Sequence, residues 1–487
     1  MKIKILNGLV VSAEETYKAD IGIEDGVITH IERKARTATA DMLPMFEADS
    51  EIDAAHHYVL PGGVDAHTHF DMPFGGTVTA DDFYTGTVAA ACGGTTTIID
   101  FAIQNKGESL KQALDKWKQK AANKAVIDYS FHIAITDLTD DILAEIPQML
   151  DEGVTSFKLF MAYKGNLMSA DKAIAKVLAQ SGKLGFLTML HCEDGDAIDE
   201  SVKDFLAHKQ TGPLYHALSR PPELEEAAIA RAVKMATNGN LYVVHLSTEA
   251  GLKHIKKARA DKLSVYTETC PQYLVLSIEK YTEKPHHKRY PVPKDVSPLP
   301  EEFEGAKYVM SPPLRGKHNN SALWQGIADG AISVVSTDHC AFNYYGGKSL
   351  GKDDFSKIPN GAPGVETRLL LLYSEGVAGK RITINNLVEV FATAPAKLFG
   401  LYPRKGEIKI GSDADMVIFN PERKFEIEQI KLHQNVDYCP YEGYKGTGAI
   451  MSVLYNGRVI YKDKGFCGTK GQGRFIKRDK FRSSIVQ

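Results

Sequence analysis

The sequence has no long hydrophobic run. None of its apolar stretches reaches the roughly 20 residues that cross a bilayer, so no transmembrane helix is expected. It has no basic excess either: 58 Lys and Arg stand against 61 Asp and Glu, a formal net charge of −3. That balance argues against a nucleic-acid partner held by charge. Cysteine is sparse, with six residues at 92, 192, 270, 340, 439 and 467 and no CxxC pair. This scatter excludes a disulfide framework and reads as reduced, buried thiols in a cytoplasmic protein. The opening MKIKILNGLVVSAEETYKAD lacks the apolar core and cleavage site of a signal peptide. It predicts a strand, a turn at Asn7-Gly8, and a second strand. No repeat or low-complexity tract is evident.

What is present is the composition of a globular protein, 43% apolar and 24% charged over 487 residues. Residues 1–56 carry short alternating strands, and the same texture returns after 402 in GEIKIGSDADMVIFN and GAIMSVLYNGRVIYKDKG. Between them, eight near-continuous apolar runs are the predicted strands: 58–64, 95–101, 126–135, 155–161, 185–191, 241–246, 263–269 and 332–337. Most are separated by helical periodicity, as in DDFYTGTVAAAC, ESLKQALDKWKQKAA and SADKAIAKVLAQS. Strands of this kind alternating with helices form a parallel sheet covered on both faces, and eight units predict an α/β fold of the (β/α)8 TIM-barrel type. The expected division is a (β/α)8 barrel over 57–401, a small discontinuous β-sandwich domain from 1–56 and 402–465, and a basic tail over 466–487. The tail either reaches a neighbouring subunit or is solvated. The proline-rich, charged segment 279–306 follows the seventh strand.

Barrel chemistry sits at the C-terminal ends of the strands. Residues 63–70 read GVDAHTHF, placing His67 and His69 at the end of the first strand. Residues two apart in extended backbone point the same way, so both imidazoles can hold one ion. His191 ends the fifth strand, His245 the sixth and Asp338 the eighth. A lone histidine pair is more often structural, but joint placement around one barrel mouth predicts a metal site. Lys158 lies inside the apolar fourth strand. Either a carboxylate partners it, or it is a neutral amine able to add CO2 as a carbamate; the residues leave both open.

These pieces together resemble the dihydropyrimidinase/hydantoinase group of the cyclic amidohydrolases. The motifs that carry the resemblance include LPGGVDAHTHFDMPFGGT (60–77), SFKLFMAYK (156–164), LYVVHLS (241–247), MSPPLR (310–315), STDHC (336–340) and IPNGAPGVETR (358–368). The resemblance covers nearly the whole chain. It implies two divalent ions, usually zinc: one held by His67, His69 and Asp338, the other by His191 and His245, with an N6-carboxylated Lys158 joining them. It further implies that Asp338 is the catalytic proton carrier, that Tyr163 polarises the substrate carbonyl, and that Ser311 and Asn360 offer main-chain groups to the ring amide. The implied reaction opens a 5,6-dihydropyrimidine or a 5-substituted hydantoin to an N-carbamoyl amino acid. The implied assembly is a homotetramer.

Relatives in this family differ in their anchors. Dihydroorotases resemble HxHxR, whereas here Phe70 and Asp71 follow His69, so that arginine is missing. The loop DMPFGG is unlike the acidic, glycine- and proline-containing stretch of allantoinases. With Phe160 and Leu167, the loop from Phe70 to Thr77 is expected to wall an apolar pocket for the ring substituent. The loop YKGNLMSADKA after the fourth strand is shorter than is usual in the group, and 279–306 is longer. A non-catalytic scaffold of the dihydropyrimidinase-related kind would lack metal ligands, and all six candidates are present here. A deaminase would lack the lysine of the fourth strand.

Overall fold

The structure, a computed structural model, describes residues 1–34, 47–283, 299–462 and 465–485. Eight parallel strands follow one another around a barrel: β1 Gly63–Thr68, β2 Thr95–Ile103, β3 Asp128–Ala134, β4 Ser156–Phe160, β5 Leu187–His191, β6 Leu241–Val243, β7 Val265–Thr269 and β8 Val334–Val335. Each pairs with its neighbour in sequence. The predicted helices lie between them, among them Phe83–Cys92, Leu110–Ala121 and Asp171–Leu184. Asp82 and Ser109 start the first two with capping boxes to Thr85 and Gln112.

The barrel is nearly closed. Thr68 bridges His339, and the His69 amide donates to the His339 carbonyl at 2.8 Å. Arg368 completes the seam. It is fully buried, and its NH1 donates to the carbonyls of Val64 on β1 and Val335 on β8 at 3.0 and 3.1 Å. Its NH2 donates to Thr95 Oγ1 at 2.9 Å.

The two chain ends form a separate sheet of nine strands. Met416–Glu426 joins the N-terminal strands through Tyr58–Pro61, which also pairs with Lys2–Val11. The expected strand 58–64 is thus split: its first half belongs to this sheet and the barrel begins at Gly63. Ile3, Ile5, Ile21, Ile23, Val59 and Met416 are buried within the sheet's core. Asn456-Gly457 turns the predicted hairpin, with φ of 52° and 73°. Asn7-Gly8 does not turn the chain. Asn7 takes φ 61° inside one continuous strand and produces a bulge between Ile5 and Gly8.

The described part of the tail has its own contacts within the chain. It lies across the N-terminal end of this chain's own barrel, where the Ile476 amide donates to Tyr129 O at 2.8 Å and that of Phe481 to Gly185 O at 2.9 Å. Buried Arg478 enters the barrel floor and donates to Ser130 Oγ and Ser156 Oγ at 3.0 and 2.9 Å. The predicted segment 279–306 falls partly outside the described residues; its flanks, Ile278–Tyr281 and Glu301–Tyr308, are short 3-10 helices of four and eight residues.

Candidate metal centre and substrate pocket

Alternation along each strand stacks the barrel interior in columns. β2 contributes Ile99, Phe101 and Ile103; β4 contributes Ser156, Lys158 and Phe160; β5 contributes Leu187, Met189 and His191. The last member of each column lines the mouth. β1 departs from strict alternation. Val64 and Ala66 belong to the interior core, yet His67 and His69 also meet at the interior site. The register with β2 slips between Asp65 and Thr68, and that bulge permits both.

His67 Nε2 and His69 Nε2 lie 3.1 and 3.2 Å from the same atom, Asp338 Oδ1. These three residues form a candidate metal site. Beside it, His191 Nδ1 and His245 Nε2 are 3.0 Å apart. Lys158 Nζ lies 3.0 Å from His67 Nε2, with the Phe101 ring 4.3 Å away. The structure therefore brings all six predicted ligands together. It reaches them through unusual backbone: His245 and Asp338 have φ of 40° and 51°, and Tyr163 has 66°. Positive φ in a bulky residue is costly, and such positions cluster where a side chain must be aimed.

Two carboxylates not singled out from sequence orient the imidazoles. Glu268 accepts from His67 Nδ1, and Glu193 lies 2.8 Å from His191 Nε2. With those nitrogens protonated, the lone pairs of His67 Nε2 and His191 Nδ1 face the site. Burial lowers the pKa of His67, His69 and His245, which favours neutral, metal-binding imidazole. Burial raises the Asp338 carboxyl, but His67 and His69 outweigh it and hold the pKa below the ordinary range. Burial lowers the Lys158 amine. The donor set, buried and with the His67 and His191 tautomers fixed from behind, fits a divalent ion. Cys92, Glu366 and His433 also lie close together. There both Glu366 oxygens are occupied by His433, by its amide at 2.6 Å and its Nδ1 at 2.7 Å, which makes a loop clamp.

Above the histidines opens a pocket. Tyr163, Ser311 and Asn360 line it, as expected, and so do Phe74, Phe160 and Leu167. Met72 comes from the predicted loop 70–77 as well, whereas sequence reasoning missed Ile103 and Cys340. Tyr163 stands over His191, ring centroids 5.2 Å apart, and burial pushes its hydroxyl pKa up to about 12. Its carbonyl collects the amides of Asn166 and Leu167 at 3.0 and 3.1 Å, so the loop after β4 folds around this residue. Apart from the histidines, Lys158 is the one potentially cationic side chain among the described lining residues.

A parallel barrel with histidines, a lysine and an aspartate converging at the C-terminal ends of its strands defines a metal-dependent hydrolase. The chain belongs to the amidohydrolase family, whose model matches residues 58–460. Within that family it falls in the D-hydantoinase and dihydropyrimidinase group. The D-hydantoinase of Geobacillus stearothermophilus is 48% identical over 480 residues, 98% of this chain and 96% of the relative. The D-phenylhydantoinase of Escherichia coli O1:K1 / APEC is 44% identical over 99% of both chains. The crystal structure of dihydropyrimidinase from Brevibacillus agri NCHU1002 superposes with a TM-score of 0.91 at 45% identity, covering 99% of this chain and 100% of that one.

Proposed function

We propose that this protein hydrolyses the ring amide of 5-substituted hydantoins and 5,6-dihydropyrimidines to N-carbamoyl amino acids. The observation that carries this reading is the convergence of His67, His69 and Asp338 beneath a pocket walled on one side by Met72, Phe74, Phe160 and Leu167. Zinc is the ion this imidazole-rich set favours. His67, His69 and Asp338 would hold one ion and His191 and His245 another, with Lys158 between the two groups. When bound, such a pair acidifies water and polarises a carbonyl. Asp338 takes the proton of the attacking water and passes it to the departing ring nitrogen, which spares the reaction an amide-anion leaving group. Tyr163 donates its hydroxyl to the oxygen that gains charge. The main chain of Ser311 and Asn360 binds the ring edge. Met72, Phe74, Phe160 and Leu167 surround the substituent.

Lys158 serves this arrangement best as a carbamate. Its amine is buried between Phe101 and Phe160, 4.3 and 5.1 Å from the two rings, and its nearest polar neighbour is another base. Carboxylation turns that buried cation into an anion among metal ions. Protein reconstituted with zinc and ¹³C-bicarbonate should carry one labelled carbamate carbon by NMR, absent from Lys158→Ala; an unlabelled wild type would refute the modification.

The function is tested by a panel on zinc-replete protein: dihydrouracil, hydantoin, phenylhydantoin, allantoin and dihydroorotate, each assayed for ring opening. Opening of the hydantoins and dihydrouracil is expected. Activity confined to dihydroorotate would overturn the reading; among the described residues lining the pocket there is no guanidinium for a substrate carboxylate. The resemblance also supports a homotetramer, read by light scattering as four times the 53.5 kDa chain.

A further inference from the structure

Lys348 lies outside the metal centre and is fully buried. Its Nζ donates to three main-chain carbonyls: Val309 at 2.7 Å, Pro359 at 2.6 Å and Gly361 at 2.7 Å. An ammonium has three donors and no acceptor, so this set saturates it. Burial draws the amine down to about 7, and carbonyl acceptors favour its charged form.

The three carbonyls come from the two segments that reach the pocket with Ser311 and Asn360. On one, Lys348 takes Val309 O while buried His216 faces the next carbonyl, Met310 O, at 2.9 Å. On the other, it takes the carbonyls on both sides of Asn360. The Asn360 carbonyl is left free of the lysine, 3.7 Å from Cys340 Sγ in the pocket lining. The segments also touch directly, Gly361 N to Val309 O at 3.0 Å. Gly361 has φ +136°, and a Cβ there would stand 2.4 Å from the Cys340 carbonyl, so the backbone has little room to shift.

We propose that Lys348 is a positioning residue for substrate: it clamps the Ser311 and Asn360 segments at a fixed separation, so that their main-chain groups meet opposite parts of the ring. This rests on the reading that those two segments bind the ring. Lys348 is not among the residues lining the pocket, and its Nζ is held by main-chain carbonyls and not by the ligand histidines, so its effect belongs in binding.

The test uses full-length, zinc-loaded Lys348→Met, with Lys348→Gln as the milder variant should the first not accumulate folded. KM for hydantoin should rise about tenfold or more, equivalent to one good hydrogen bond to the ring, while kcat moves far less. Zinc content should match wild type, and hydrogen exchange should quicken at the Gly361 amide. Lys348→Gln, keeping two donors, should fall between wild type and Lys348→Met. An unchanged KM in a folded variant, or a fall in kcat together with zinc at constant KM, overturns the proposal. Failure of the underlying function is read separately, in the wild-type panel, and the exchange measurement needs no substrate.

Discussion

Two of the four imidazoles at this centre, those of His67 and His191, are aimed by carboxylates that do not face the pocket. Glu268 is an example: it holds His67 Nδ1, accepts from the Tyr242 hydroxyl at 2.9 Å, and lies 3.3 Å from the His245 amide. One carboxylate thereby fixes the His67 ring and receives the main chain at His245. Glu268→Gln should weaken zinc binding by about 10- to 100-fold, the usual cost of losing such a partner, with the protein still folded. Competition against a chelator measures this, and unchanged affinity would remove Glu268 from the design. Glu193 was as visible in the sequence as His191, two residues earlier, but its use depends on Arg220, whose NH1 binds the same oxygen at 3.0 Å. Nothing in local sequence announces that pairing.

At the scale of elements, the two short strands Pro73–Phe74 and Thr77–Val78 form a hairpin over the pocket. Phe74 meets the Tyr163 ring edge-on at 5.9 Å and Phe342 at 6.4 Å. Phe160 meets Tyr163 at 6.0 Å. These rings build the apolar side of the pocket from three separate connections. Phe74→Ala and Phe160→Ala should each lower kcat/KM for phenylhydantoin about tenfold relative to unsubstituted hydantoin, since burying an aromatic side chain is worth roughly 1.5–3 kcal/mol. Equal losses on both substrates would show that the wall packs the loop and does not read the substituent. The apolar character of 70–77 was legible in sequence. The hairpin that carries Phe74 to Tyr163 was not, because it depends on backbone turning at Gly75 and Gly76, with φ of 60° and 81°.

At the scale of the molecule, one buried knot ties barrel, terminal sheet and tail. Lys405 Nζ lies 2.8 Å from Asp128 at the start of β3, and 2.9 and 2.7 Å from Asp413 and Asp415. Tyr455, from the terminal sheet, donates to Asp128 at 2.6 Å, and Arg474, from the tail, binds it at 3.2 Å. Burial pushes the Asp128 carboxyl up, but Lys405 and Arg474 outweigh it and hold the pKa at about 2. Asp415, beside the same lysine, is raised by burial and by Asp128's charge. A depressed carboxyl stabilises the fold above its unfolded pKa of about 3.9, and that contribution fades as pH falls toward 2. It amounts to roughly 2 kcal/mol. In metal-free protein, Asp128→Asn should unfold at lower urea than wild type at pH 6, and the gap should narrow between about pH 4 and pH 2. A gap independent of pH would mean that packing, not this charge, joins the parts.

The sequence by itself determined the barrel, the sheet shared by both chain ends, and the chemistry of the centre. Alternation and apolar runs are local properties, and a histidine pair at a strand end points one way in any extended chain. The tertiary structure alone decided that the tail seals its own barrel, that β1 bulges between Asp65 and Thr68, and that Glu193, Glu268 and Lys348 hold the working groups in place. Those roles belong to residues far apart in sequence, and a buried polar group is identified only by the partner that satisfies it.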